Sequence, residues 1–122
     1  MSMAANTQVV GRQPMIYELR LYSPMPGKMP ALLRRFEDHT LKIWERTGIR
    51  LVGFWTTLIG ESNQQLTYML AWESMAERET LWSTFTADAE WIAIAAESER
   101  EGPIVQNIAN QLLLPTGFSP LK

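Results

Sequence analysis

Apolar and polar residues recur along this chain with two different periods, and each period predicts one type of element. Residues 15–22 are rich in β-branched and aromatic side chains and stop at Ser23-Pro24, which predicts a first strand. After a turn over residues 23–27, apolar positions recur at steps of three and four from Met29 to Thr47. This spacing predicts an amphipathic helix, and Gly48 is a natural place for it to end.

Two further strands and a second helical region are predicted next. Residues 49–59 and 64–72 have strand composition and flank a turn over 60–63, so they are predicted to form a hairpin. Ser74 and Glu77 have the spacing of a capping box, and Asp88 can start a further helical piece that ends before Gly102-Pro103. Residues 104–114 form the last predicted strand. The order β-α-β-β-α-β predicts an α+β, ferredoxin-like fold with its helices on one face of an antiparallel sheet.

The predicted sheet is apolar on both of its faces. In the second strand, Leu51 and Trp55 are predicted to share one side, opposite Phe54. The first strand divides in the same way into Tyr17, Leu19 and Leu21 on one side and Ile16, Glu18, Arg20 and Tyr22 on the other. Helices cover one face, and the other would be an apolar patch larger than soluble monomers usually expose. We therefore expect a homodimer that pairs sheet against sheet, and the pattern leaves open which face meets the partner.

Composition narrows the classes of function. The chain has 122 residues, which predicts a single domain over residues 15–121 preceded by an N-terminal tail over residues 1–14. The net charge of −2 gives no broad positive field for nucleic acid, and the absence of cysteine excludes disulfides and thiolate metal sites. No stretch approaches the length of a membrane span, and no targeting segment is recognised, so we expect a cytoplasmic protein.

His39 is the only histidine, so any imidazole chemistry depends on it, and it is the candidate catalytic residue. Its position three residues after Phe36 and four before Ile43 predicts that it is buried between the first helix and the sheet. Three roles stay open: a structural histidine, a proton acceptor or donor in a pocket, and a metal or haem ligand. A single histidine leaves a metal under-coordinated, so we predict no metal site and no cofactor.

Other side chains are candidates for a pocket or an interface. Glu18 and Arg20 share one side of a strand, where they could fix the register of a dimer or recognise a substrate carboxylate. Tyr17, Trp55 and Tyr68 combine an apolar body with a polar tip, which makes them candidate pocket walls beside His39. The charge run over residues 77–79 is predicted to be a helix cap and a solvated surface.

Several segments, in the same order, resemble the NIPSNAP family. They are IYELR at 16–20, GIRLVGFWTT at 48–57, IGESN at 59–63, WESMAERE at 72–79, GPIV at 102–105 and PTGFSPL at 115–121. The resemblance implies a ferredoxin-like protomer that pairs into a dimeric α/β barrel. Short, single-domain members of this kind look bacterial and have no established reaction.

The resemblance also sets the expected functions. The first is a homodimeric domain that binds a small apolar ligand or a protein partner. The alternatives come from the wider superfamily of this fold: a cofactor-free monooxygenase or isomerase acting on a small aromatic substrate, or haem binding through His39. A shared fold does not transfer a reaction, so the sequence leaves open whether the chain is an enzyme.

Overall fold

The computed structural model describes residues 14–122, and the predicted N-terminal tail lies outside the described residues except for Pro14. One antiparallel sheet contains four strands in the order β2-β3-β1-β4. The strands are β1 (Ile16–Pro24), β2 (Arg50–Thr56), β3 (Leu66–Trp72) and β4 (Val105–Leu113). Helical segments follow β1 and β3, which gives the predicted β-α-β-β-α-β order and confirms the α+β, ferredoxin-like fold.

The helical segments begin and end where local chemistry favours it. They are α1 (Met29–Arg35), a π-helical turn (Phe36–Thr40), α2 (Leu41–Thr47), α3 (Met75–Thr86) and α4 (Ala89–Ser98). Gly48 ends α2 with a φ of 94°, a left-handed conformation that glycine adopts without strain. Ser74 accepts a hydrogen bond from the Glu77 N–H at the start of α3, and Asp88 accepts one from the Trp91 N–H at the start of α4. Both predicted caps are confirmed.

The π-helical turn changes which residues of the first helical region are buried, and it makes the predicted burial of His39 wrong. Such a turn contains more residues than an α-helical turn, so the buried stripe shifts along the sequence. Phe36 and Thr40 are both buried, four residues apart, and the stripe continues at Ile43. His39 therefore points away from the sheet and is exposed.

The strand registers define two faces of the sheet. Residues paired directly across an antiparallel sheet share a face. Glu18 pairs with Leu70 and Arg20 with Tyr68, and these side chains lie on the side that the helices cover, here called the covered face. Tyr17 pairs with Ala71 on the opposite side, here called the open face. The predicted division of the first strand is therefore correct.

A β-bulge in β2 corrects the prediction for the second strand. Leu51 lies opposite Leu70 on the covered face, but the register shifts before Gly53, and Trp55 lies opposite Thr67 on the open face. Leu51 and Trp55 therefore do not share a side. β2 also ends at Thr56, three residues before the predicted end, and Ile59 is 93% exposed in the following loop.

Aromatic rings fill the space between the covered face and the helices. Trp44 lies at the centre of this layer. The centroids of five other aromatic rings are within 6.5 Å of the centroid of its ring. These neighbours are Phe36, Phe54, Tyr68, Trp82 and Phe85. Edge-to-face and tilted pairs of this kind stabilise a core beyond the area that they bury. This aromatic layer surrounds the polar site described next.

Candidate functional site

A buried carboxylate, Glu18, is the centre of a polar network on the covered face. Its two oxygens accept hydrogen bonds from the Arg78 Nε and Nη2 atoms at 2.7 and 3.0 Å and from Arg20 Nη1 at 2.9 Å. Trp72 Nε1 donates at 3.0 Å and Asn110 Nδ2 at 2.8 Å. These donors come from β1, β3, β4 and α3, so four elements converge on one side chain that has no exposed surface.

The network keeps Glu18 ionised. Burial by itself raises the pKa of a carboxyl, because it removes water from the charged form. Hydrogen bonds from Arg78, Asn110, Arg20 and Trp72 outweigh that cost and lower the pKa of Glu18 to about 2. Glu18 is therefore an anchor for cations and donors at neutral pH, and it has no proton to give.

Arg20 connects this carboxylate to two tyrosines. Its Nε donates to the Tyr68 hydroxyl at 2.8 Å, and its Nη2 to the Tyr22 hydroxyl at 3.4 Å. The Tyr68 hydroxyl in turn donates to that of Tyr22 at 3.0 Å. The guanidinium also lies 4.6 Å from the ring centroid of Trp82, which is a cation–π distance. Burial raises the pKa of Tyr68, so this phenol is neutral at physiological pH.

The charges in the network do not balance. Two guanidiniums, those of Arg20 and Arg78, contact the single carboxylate of Glu18. The remaining positive charge faces the electron-rich rings and hydroxyls of the aromatic layer. This part of the covered face therefore favours groups that carry negative or partial negative charge.

A cavity of about 180 Å³ adjoins the network between the sheet and the helices. Trp44 Nε1 and Arg35 Nε are buried without a hydrogen-bond partner among the described residues, and both side chains line this cavity. Arg35 contacts Glu99 at 3.5 Å near its rim. The full lining is Tyr22, Arg35, Phe36, Thr40, Trp44, Phe85, Trp91, Glu99, Val105 and Ile108. An aromatic wall with a few polar groups is typical of small-molecule sites.

His39 borders a different and more open cleft, of about 510 Å³, between α1 and α4. Its other walls are small, aliphatic or charged, with Arg34 and Asp38 on one side and Glu97 on the other, and no aromatic ring lines it. Within residues 14–122, no three His, Asp or Glu side chains gather in a way that could hold a metal ion.

The structure separates the residues that the sequence singled out as pocket walls. Tyr68 belongs to the polar network on the covered face, whereas Tyr17 and Trp55 lie on the open face. His39 is on the outer side of the helices. Glu18 and Arg20 form their ion pair within one chain and on the covered face, and their role in the register of a dimer stays a prediction.

Sequence reasoning missed all of the residues around the cavity and four members of the network, which are Tyr22, Trp72, Arg78 and Asn110. Tyr22 alternates with Glu18 and Arg20, so strand periodicity alone could have placed it beside them. Arg78 was assigned to a solvated charge run, although it shares a helical face with Trp82 and Phe85. Asn110 carries no local signal, because its contact with Glu18 spans 92 residues of sequence.

These features define a ferredoxin-like α+β domain with a polar network and a cavity between sheet and helices. The NIPSNAP family model matches residues 17–120, and the chain belongs to the NIPSNAP family. No curated protein matches it. None of the helices in the described part of the chain is long and apolar enough to cross a membrane.

Solved structures of bacterial proteins share this fold. A NIPSNAP family protein of unknown function from Agrobacterium tumefaciens is 28% identical, with a TM-score of 0.78 over 89% of this chain and 95% of that one. An uncharacterised NIPSNAP-like domain protein from Burkholderia xenovorans is 27% identical, with a TM-score of 0.76 over 87% and 89%. A DABB family protein with a ferredoxin-like fold from Mesorhizobium loti is 12% identical, with a TM-score of 0.55 over 86% and 100%, which shows the fold alone.

Proposed function

We propose that this NIPSNAP domain binds a small, mainly apolar ligand in the cavity between the covered face and the helices. The observation that carries the proposal is an aromatic-lined cavity of about 180 Å³ with a buried, charged hydrogen-bond network beside it. A dry apolar cavity of about 150 Å³ is large enough to bind benzene. The size therefore suits a ligand with a single ring and a small substituent.

The unpaired donors support the same proposal. Leaving a buried donor without a partner costs about 1–3 kcal/mol, so such groups are normally paired by protein, water or ligand. Trp44 Nε1 and Arg35 Nε are such groups, and both residues line the cavity. The residues border the cavity, but the two nitrogen atoms have almost no exposed surface, so a ligand oxygen would reach them only after the side chains around them shift.

A cavity-filling substitution tests the proposal with toluene as the probe. Ile108 lines the cavity and is 45% exposed, so Ile108→Trp places a large ring at its mouth. Leu112→Trp is the matched control, since Leu112 lies on the same face of β4, is 41% exposed and is not part of the lining. Saturating toluene should raise the melting temperature of the wild type and of the control by a few degrees, and that of Ile108→Trp much less.

Either of two results would count against a ligand site here. One is a wild-type melting temperature that does not respond to toluene. The other is an equal response in all three proteins, because toluene would then bind outside the cavity.

We also propose that the domain works as a homodimer that pairs its open faces. The open face carries the apolar side chains of Leu19, Leu21, Met69, Trp55 and Leu113, of which the first three are half-buried and the last two are exposed. Trp55 is 51% exposed, and its indole packs over Gly53, where a Cβ atom would come within 3.0 Å of the ring. A second copy would remove this apolar surface from water.

A further inference from the structure

We infer that Tyr22 presents its hydroxyl proton to an oxygen of the bound ligand, either a carbonyl oxygen or an enolate. The inference rests on the proposed function, because it assigns the polar contact within the same cavity. It names the ligand class more closely: a single small ring with an oxygen acceptor attached to it.

The direction of each hydrogen bond follows from the chemistry of the donors. A guanidinium has five N–H donors and no acceptor, so both tyrosine oxygens that contact Arg20 must accept from it. Arg20 Nε donates to Tyr68, and Arg20 Nη2 donates to Tyr22. Neither of these contacts uses a phenolic proton.

The phenolic protons of Tyr68 and Tyr22 differ in whether a protein group accepts them. Tyr68 is fully buried, so its O–H needs an acceptor, and it donates to the Tyr22 oxygen at 3.0 Å. The Tyr22 oxygen thereby accepts two hydrogen bonds, from Arg20 and Tyr68, which uses both of its lone pairs. Its own proton is left, and no group among the described residues accepts it.

Tyr22 is also the member of this chain of hydrogen bonds that borders the cavity. Glu18, Arg20 and Tyr68 are not part of its lining, whereas Tyr22 is. Hydrogen bonds in a chain polarise one another, so donation from the charged Arg20 makes the Tyr22 O–H a stronger donor. The surplus positive charge behind it favours a ligand atom with negative or partial negative charge.

Two nearly isosteric probes isolate this contact in the full chain. Cyclohexanone carries a carbonyl oxygen, and methylenecyclohexane replaces that oxygen with a CH₂ group. Calorimetric titration compares their dissociation constants in the wild type, in Tyr22→Phe and in Tyr17→Phe. Tyr17 is the matched control, because it is a buried tyrosine on the opposite face of the same strand.

The expected result is selective. Tyr22→Phe should weaken cyclohexanone binding about tenfold, which is the effect of one lost hydrogen bond, and leave methylenecyclohexane unchanged. Tyr17→Phe should change neither. If methylenecyclohexane binds the wild type but Tyr22→Phe affects both probes equally or neither, the role of Tyr22 is overturned and the cavity proposal stands. If neither probe binds the wild type, both proposals fail.

A second measurement on the wild type does not depend on a variant that folds. Donation of a hydrogen bond to a carbonyl lowers its stretching frequency. The infrared band of carbonyl-labelled cyclohexanone bound to the protein should therefore lie below its position in an apolar solvent. A band at the apolar-solvent position would overturn the inference, even if the ketone binds.

Discussion

The covered and open faces of the sheet differ in the kinds of side chain that they bury and expose. The covered face buries two charged residues, Glu18 and Arg20, whereas the open face exposes Trp55 by 51% and Leu113 by 38%. Buried charges are tolerated when they are paired and hydrogen-bonded, and five donor atoms from four elements meet Glu18. Glu18 and Arg20 can be buried because hydrogen-bond and ion-pair partners surround them. Residue type alone therefore does not decide which face the helices cover.

The same contrast separates the two proposed activities of the domain. The covered face offers a partly open cavity beside oriented donors, which suits a small molecule. The open face offers apolar surface with little polar chemistry, which suits another protein surface. Substitutions on one face should therefore leave the property assigned to the other face intact, and the predictions below test this separation.

The largest loss of unfolding free energy is expected from Glu18→Ala, which breaks the network on the covered face. Arg20 is 8% exposed, so removal of the carboxylate leaves its guanidinium largely buried without its anion. Loss of one partner of a buried ion pair costs about 3–5 kcal/mol of unfolding free energy. Urea unfolding followed by tryptophan fluorescence measures it. Glu97→Ala, which removes a well-exposed ion pair with Arg100, is the control and should have no measurable effect.

A somewhat smaller loss of unfolding free energy is expected on acidification. The pKa of Glu18 is lowered to about 2 in the folded state, so the unfolded state, with an ordinary pKa of about 4.3, takes up the proton first as the pH falls. The stabilisation is present in full above about pH 5 and is lost as the pH falls towards 2, by roughly 3 kcal/mol.

Unfolding free energies of the wild type and of Glu18→Gln, measured between pH 2 and 7, isolate this contribution. The glutamine side chain does not titrate, so its curve should fall less steeply below pH 5. Equal slopes in the two proteins would mean that Glu18 is not the group responsible.

The smallest of the three effects is expected on the open face. Trp55→Asp places a charge in the proposed dimer interface and should raise the dissociation constant of the dimer by one to two orders of magnitude, or about 1.5–3 kcal/mol. It should leave toluene binding unchanged. Leu58→Asp adds the same charge in the loop after β2, at a residue that is 93% exposed, and should have no effect. Sedimentation that shows a wild-type monomer contradicts the dimer proposal.

Local patterns were sufficient to predict the order of the elements and much of their chemistry. Period-two alternation placed Glu18, Arg20 and Tyr22 on one side of β1 and Tyr17 on the other, because a strand turns successive side chains to opposite faces. The caps at Ser74 and Asp88 were predictable, because each bonds a backbone N–H only three residues away. These properties depend on neighbours in sequence, and the sequence by itself determined them.

Only the tertiary structure decided where the site lies. The π-helical turn rotates His39 out to solvent, and the bulge in β2 separates Leu51 from Trp55; each departs from a regular period by one residue. Glu18 meets Arg78 and Asn110 across 60 and 92 residues of sequence. Such contacts arise from the packing of whole elements, so they cannot be predicted from the hydrophobic period of any single element. The cavity beside Tyr22 depends on the same packing.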